Sequence, residues 1–323
     1  MVSTYSEAGV DIDASERATE ALIAQIKGVN RKGDGEAIRL DNGFAGLVKL
    51  GDGALAMCTD GVGSKLLLAE EMDSIHTVGI DCVAMNTNDL ICVGAEPLSF
   101  VDYVALDKPD EELMAKIGKG LAEGCRQSNC TLSGGETAIL PELVHGFDIA
   151  GTSVGYVKQD KIIDGAKITE GDVLIGLKSS GPHSNGYTLI RKLFNGDKEI
   201  GKQLVEPTRI YVKEVMNLIK QVDVHGVAHI TGGGLDNISR IKDNFQYVID
   251  NPLPVPSIFD WLQERGDVED GEMYRTFNMG MGMIIIVDKK DADKSVSLLG
   301  EYAQIVGSVN SGTGVKHSAF VSD

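Results

Sequence analysis

The chain has no pair of cysteines two residues apart, no apolar run long enough to cross a bilayer, and a deficit of positive charge. Each shortage removes a class of protein. The five cysteines, Cys58, Cys82, Cys92, Cys125 and Cys130, are odd in number and lie mostly within apolar runs. That argues against a disulfide framework or a cysteine metal site and reads as reduced, buried thiols in a cytoplasmic protein. The longest apolar candidate, Met281 to Val287, is short enough to be a buried strand, so no membrane partner is expected. Met1 to Asp13 carries Glu7, Asp11 and Asp13 with no apolar core, so it does not read as a secretory signal. Lys and Arg number 30 against 48 Asp and Glu, a formal charge of −18, which argues against nucleic acid or an anionic membrane surface. Tandem repeats and low-complexity tracts are also lacking.

Glycine, by contrast, is abundant. The 39 glycines among 323 residues exceed the usual share of about 7% and imply many tight turns or close approaches of backbone to ligand. The length allows two domains and a sizeable core, and 42% hydrophobic with 24% charged residues is ordinary for a globular protein. An acidic protein that handles phosphate must do so locally, through metal ions and backbone N–H groups.

The richest chemistry lies between Thr59 and Pro97. Two apolar runs around Gly51-Asp52-Gly53 predict a hairpin that delivers Asp60 to a strand end. Gly61 and Gly63 strip side-chain bulk from Asp60-Gly61-Val62-Gly63-Ser64-Lys65, where phosphates could meet backbone N–H groups and Lys65 adds a cation. Ile80 to Val93 has helical spacing, with Asp81, Met85 and Asn88 on one face and Cys82, Asn86 and Asp89 on the next. A helix this apolar should be buried, so its carboxylates and amides need partners. Mg²⁺ bridging nucleotide phosphates would supply them. Taken singly, each of these residues is equally well read as a turn or surface residue.

Along the rest of the chain, Asp13 to Lys27 reads as a capped helix and Gly28 to Gly43 as a loop. Strands are expected over Leu98–Ala105 and Phe147–Val157, with a helix over Asp110–Gln127 between them. Cys130 to Thr137 reads as a strand ending in the loop Gly134-Gly135-Glu136. The polar joint Lys158–Thr169 divides the chain into residues 1–157 and 158–323. In the second part, Val173–Leu177 feeds Ser179 to Gly186 and a helix Tyr187–Phe194, while Val227–Ile230 feeds Thr231-Gly232-Gly233-Gly234 and a helix Leu235–Ile241. Such loops leave N–H groups free for an anion. His183 and His229 flank them, and a lone core histidine is more often structural than catalytic. Helices over Ser257–Arg265, Asp270–Phe277 and Asp291–Ala303, and strands over Met281–Val287 and Gln304–Val309, complete an α/β fold of α+β type.

The motifs YSEAGVDI, TDGVGSK, GIDCVAMNTNDL followed by GAEP, GGETA, SSGPHSNGYTL, HITGGGL and TFNMGMGM, in this order along nearly the whole chain, resemble those of the phosphoribosylformylglycinamidine cyclo-ligase family. The resemblance implies ATP-driven closure of formylglycinamidine ribonucleotide to aminoimidazole ribonucleotide, with ADP and phosphate released through an iminophosphate. It also implies two α/β domains and a homodimer joined through the mainly antiparallel N-terminal sheets. Asp60, Asp81 and Asp89 resemble the family's ligands to metal and ATP phosphate, with Glu136 a further acid. Gly61, Gly63, Ser64 and Lys65 resemble the phosphate loop, and Asn88, Gly134 and Gly135 are expected beside the nucleotide. Ser64 keeps the hydroxyl of the threonine usual there, whereas Ile139-Leu140 follows GGETA where an acid is common. Lys27 is the candidate lysine closing over the nucleotide. His183 and His229 are the candidate proton-handling groups, either of which suits the base. Ser184, Asn185, Thr231, Gly232 and Gly233 are expected to bind substrate.

Overall fold

A computed structural model describes residues 12–26, 28–40, 43–317 and 320–321. The first half runs α1 (Ile12–Ile26), β1 (Ala37–Ile38), β2 (Gly46–Leu50), β3 (Gly53–Gly61), α2 (Lys65–Glu71), α3 (Ile75–Cys92), β4 (Glu96–Leu106), α4 (Glu111–Ser128), β5 (Thr131–Ile139) and β6 (Phe147–Lys158). Its six strands lie in the order β1-β2-β3-β6-β4-β5. Every pair is antiparallel except β4 with β5. The second half runs β7 (Val173–Lys178), α5 (Tyr187–Leu193), α6 (Lys198–Leu204), α7 (Val212–Ile219), β8 (Val224–His229), β9 (Phe245–Ile249), α8 (Ser257–Gly266), α9 (Asp270–Thr276), β10 (Met281–Val287), α10 (Ala292–Leu299), β11 (Ala303–Ser311), β12 (Val315–His317) and β13 (Phe320–Val321). Its seven strands are ordered β13-β12-β9-β11-β7-β10-β8. The expected two-part α/β architecture with a mainly antiparallel first sheet is therefore present.

Two expected loops take other forms. Gly134-Gly135-Glu136 lies inside β5, where Gly135 pairs with Asp102; a side chain at Gly135 would press on the Asp102 carboxylate, so the glycine permits the pairing. The segment after Thr231 is a 3-10 turn, Gly234–Ile238, not a helix reaching Ile241. Gly234 has φ +57°, and any Cβ there would strike the Tyr274 carbonyl. The short helices α6 and α7 and the strand β9 were not anticipated, because each is too brief to display its period.

Helix α3 is the centre of the molecule, with nearly every residue buried. It packs on α4 at backbone distance because glycines face each other: a Cβ on Gly79 would lie 2.6 Å from the Ile117 carbonyl, and one on Gly120 would strike the His76 carbonyl. Asp110 caps α4 by accepting the Leu113 N–H at 2.9 Å, and Asn129 closes it with φ +52°. The apolar cores ignore the boundary between halves. Ala84, Ile91 and Cys92 of α3 share a core with the second sheet, while Leu66 and Leu68 of α2 pack in one with Tyr187, Leu204 and Phe277.

Replacing Gly79 by leucine is expected to lower unfolding free energy by several kcal/mol through overpacking of α3 on α4. Gly118→Ala, on the open face of α4 with nothing within 4 Å, should be neutral or stabilising by up to about 1 kcal/mol. Urea denaturation of both variants checks the pair, and a tolerated Gly79→Leu would contradict the packing.

Candidate active site

The two polar faces of α3 point to different places. The face carrying Cys82, Asn86 and Asp89 meets the first sheet. Asn86 Nδ2 donates to the Asp60 carbonyl at 3.2 Å and to the Cys82 carbonyl at 2.8 Å, and Ser153 Oγ donates to the Asn86 carbonyl at 3.2 Å. The Cys58 thiol, on the same face of β3 as Asp60, reaches Asp89 Oδ2 at 3.8 Å. Asp60 and Asp89 thus share one surface at the end of β3. The Asp60 carboxyl is held above its ordinary pKa, chiefly by partial burial; the Asp89 charge pushes the same way, while the Gly61 N–H and His229 oppose it. That N–H donates to Asp60 Oδ1 at 2.8 Å.

Asp102 belongs to this surface, although sequence reasoning passed over it. Asp60, Gly151, Asp102 and Gly135 stand directly opposite one another on neighbouring strands, hence on one face. Burial raises the Asp102 carboxyl as well. The signal was present: Asp102 alternates in phase with Phe100 and Val104, both fully buried.

Glu136 differs from expectation. It pairs with Tyr103, which pairs with Ala150 and so aligns with Gly61; this row faces the other side of the sheet from Asp60. Within one chain, Glu136 is not brought to the Asp60 surface, because alternation along β5 turns it away. Gly134 and Gly135 lie within the same strand rather than in a loop.

The other face of α3 corrects a further expectation. Asp81 is fully buried against Lys65, whose Nζ lies 2.9 Å from its carboxylate, and Asp81 Oδ1 also accepts the Thr208 N–H at 2.7 Å. Lys65 Nζ further donates to the carbonyls of His183 at 2.8 Å and Glu206 at 2.7 Å. With all three N–H bonds used and no exposed surface, Lys65 does not reach a phosphate, and Asp81 is not open to a metal. Asn88 is likewise committed: Oδ1 accepts the Tyr211 N–H at 3.0 Å and Nδ2 donates to the Arg209 carbonyl at 2.9 Å. Asp81 and Asn88, two turns apart, bind the segment 208–211 to α3.

The second half contributes its two glycine loops. Gly186 has φ +80° and lies where a Cβ would strike the Phe277 ring. A Cβ on Gly232 would lie 3.3 Å from Asn185 Oδ1, so the loops 183–186 and 231–234 touch. Ser184 Oγ lies 2.9 Å from Thr208 Oγ1, and Ser64 Oγ lies 3.5 Å from Thr188 Oγ1, joining the Gly61–Ser64 loop to the start of α5. Thr231 is half-buried, and Gly232 and Gly233 are exposed.

His183 and His229 are fully buried with ring centroids 6.5 Å apart. His229 Nδ1 lies 2.8 Å from Asp89 Oδ1 and Nε2 lies 3.4 Å from Asn88 Nδ2. Because the Asn88 amide is oriented by the Tyr211 N–H, its NH₂ faces His229, which assigns the proton to Nδ1 and leaves both ring nitrogens engaged. His183 Nε2 accepts the Ser180 N–H at 3.3 Å, so its proton sits on Nδ1, a buried donor without a partner. Burial holds His183 well below the ordinary histidine value, with the neighbouring charges of Lys65 and Arg209 acting the same way. Lys27 lies outside the described residues.

Among the described residues no group of three or more His, Cys, Asp or Glu is arranged to hold a metal ion. Asp60 and Asp89 nevertheless suit Mg²⁺, which takes one or two carboxylates and completes its shell with water and phosphate oxygens. Asn86 Oδ1, buried without a partner beside them, is a third hard oxygen.

The fold and its meeting loops define a class. The description "AIR synthase related protein, N-terminal domain" matches residues 42–157, and "AIR synthase related protein, C-terminal domain" matches residues 169–319. The structure "AaThiL complexed with AMPPCP and TMP" shares the fold with a TM-score of 0.67 at 15% identity, covering 95% of this chain and 96% of that one. "Crystal Structure of Hydrogenase Maturation Protein HypE in complex with ATP" shares it with a TM-score of 0.62 at 19% identity, covering 91% and 87%. Within this class, the phosphoribosylformylglycinamidine cyclo-ligase of Methanosarcina acetivorans is 49% identical, over 97% of each chain. That of Methanocaldococcus jannaschii is 45% identical over 95% of this chain and 92% of its own. The chain belongs to the phosphoribosylformylglycinamidine cyclo-ligase family of enzymes.

The buried, neutral His183 makes stability depend on pH. Its folded pKa lies below the unfolded value of about 6.5, so the unfolded chain binds the extra proton first. The stabilisation is fully present above about pH 6.5 and declines as pH falls toward the folded value. Thermal melts from pH 7.5 to pH 5 should show a shallower acid decline for His183→Gln than for the unmodified protein; equal slopes would assign the decline to other groups.

Proposed function

We propose that this chain catalyses the ATP-dependent cyclisation of formylglycinamidine ribonucleotide to aminoimidazole ribonucleotide in purine biosynthesis, with Mg²⁺ as the metal and the cytoplasm as its location. The observation that carries the reading is the meeting of two unlike surfaces. Asp60, Asp89 and the Gly61–Ser64 loop come from the first half, and the loops 183–186 and 231–234 come from the second. Acids with bare backbone suit a nucleotide triphosphate. Hydroxyl, amide and glycine N–H groups at Ser184, Asn185, Thr231, Gly232 and Gly233 suit a ribose phosphate.

An amide oxygen is a poor leaving group, so the γ-phosphoryl group moves from ATP to that oxygen, ADP departs and the amide N–H proton is released to water. The neighbouring amine then attacks the iminophosphate carbon, the carbon–oxygen bond breaks, and phosphate leaves with the amine's proton. Bound Mg²⁺ would neutralise phosphate charge during the transfer. Asp60 and Asp89 would hold it, and Gly61, Gly63 and Ser64 would orient the phosphates. His183, neutral and fully buried, acts on the reaction only through the backbone of the 183–186 loop to which it belongs. His229, with both nitrogens engaged, orients Asp89. Positioning and charge neutralisation supply most of the rate in such chemistry.

We also place the working division of the chain at 1–157, bearing nucleotide and metal, and 158–323, bearing substrate. The outer face of the first sheet supports a homodimer: Met57, Val101 and Tyr103 are exposed on it, and β5 is exposed along nearly its whole length. An isolated chain rarely leaves such an apolar sheet face and edge uncovered.

Two tests follow. Pure protein with ATP, Mg²⁺ and formylglycinamidine ribonucleotide should yield aminoimidazole ribonucleotide and ADP in equal amounts, and Asp60→Asn or Asp89→Asn should lower turnover by roughly 10²-fold with folding intact. ADP without the ring product would refute the cyclisation, and near-parental rates in both variants would refute the metal role. For assembly, light scattering should give the mass of two chains for the unmodified protein and of one for Val101→Asp; a single-chain mass for the unmodified protein would refute the dimer.

A further inference from the structure

We propose that the buried Lys65–Asp81 pair is a positioning pair for the reaction, acting through His183 by holding the 183–186 loop and the 206–208 segment against α3. The inference rests on the functional reading above. Four observations carry it. First, each N–H of the Lys65 ammonium has a separate use: Asp81 at 2.9 Å, the His183 carbonyl at 2.8 Å and the Glu206 carbonyl at 2.7 Å. Second, Asp81 Oδ1 returns a contact to the same region by accepting the Thr208 N–H at 2.7 Å, and Thr208 Oγ1 meets Ser184 Oγ at 2.9 Å. Third, Ser180 Oγ donates to the Pro207 carbonyl at 2.6 Å, so the segment held by the pair also holds the start of the loop. Fourth, His183 has φ +62°, a backbone conformation that a residue with a Cβ adopts only when its surroundings impose it. The imposed residue is the one whose carbonyl Lys65 grips.

The energetics point the same way. Both side chains of the pair are 0% exposed, and a buried ion pair is a poor way to gain stability because desolvation offsets the attraction. What such a pair provides is direction: a tetrahedral ammonium and a carboxylate fix several backbone groups that apolar side chains could not. Lys65 is also the first residue of α2, directly after the Gly61–Ser64 loop. One residue therefore continues the backbone of the proposed phosphate loop and ends on the carbonyl of His183.

The test is the double variant Lys65→Met/Asp81→Leu, which removes both charges together and leaves no unpaired ion in the core. It should fold, by circular dichroism, with kcat for aminoimidazole ribonucleotide formation lowered by about tenfold to 10²-fold. The KM for formylglycinamidine ribonucleotide should rise, while the KM for ATP stays within about threefold. A folded double variant with parental kcat and KM values overturns the proposal, because a purely structural pair would change only stability. Hydrogen exchange on the unmodified protein gives a second reading that needs no variant. The Thr208 amide, which donates to Asp81 Oδ1, should exchange as slowly as those of α3, and fast exchange there overturns the proposal whether or not the double variant folds. An unmodified protein that makes no aminoimidazole ribonucleotide would count against the functional reading instead, and the exchange measurement would still report on the tether.

Discussion

The structure depends on one constraint: a largely buried helix carries Asp81, Asn86, Asn88 and Asp89. An apolar helix would have been satisfied by any greasy neighbour. This one requires specific donors and acceptors on all sides, and the chain supplies them from segments distant in sequence. Lys65 and the backbone of 206–211 answer one face, and β3, Ser153 and His229 answer the other. Buried polar groups without partners are expensive, so α3 dictates where the two halves meet. The proposed site is the place where its demands are only partly met among the described residues: Asn86 Oδ1 has no hydrogen-bond partner beside Asp60 and Asp89.

Much of this could be read from the residues, and the limits were physical. Helical spacing correctly separated Asp81 and Asn88 from Cys82, Asn86 and Asp89, because the helix period is fixed. It could not tell which face would meet a lysine and which a sheet, since that depends on chain crossing between halves. Composition made Lys65 look like a phosphate ligand, for a lysine after a glycine loop carries the same letters whether its side chain points out or in. Glycine was misleading in β5: Gly134-Gly135 reads as a turn, yet Gly135 serves the close approach of Asp102 within a ladder. Asp102 was legible in its alternation with Phe100 and Val104, and was passed over because Val101, Tyr103 and Ala105 make the other face of the strand equally apolar in sequence.

Charge explains why an acidic protein can be proposed to handle phosphate. With a formal charge of −18, long-range attraction does not bring a nucleotide in, so the anion must be bound at short range. The first half has the means: Asp60, its pKa raised chiefly by burial and further by the Asp89 charge, and an adjacent loop with no side chains at Gly61 and Gly63. On the proposed reading, Asp60 and Asp89 would hold a divalent cation that offsets their charge beside that loop, and His229 fixes the Asp89 carboxylate by donating to it.

The two histidines show how burial assigns roles that residue type leaves open. Both are neutral in the hydrogen-bond pattern, yet they differ in what remains unused. His229 is spent between Asp89 and Asn88, so its effect on chemistry can only pass through the carboxylate it orients. His183 keeps one N–H without a partner, on a backbone bent into the left-handed region and gripped from behind by Lys65. A residue held in the left-handed region by a buried ion pair keeps its loop from drifting into alternative contacts. The rigidity of the 183–186 loop is thus set from the interior, by charges that never meet solvent.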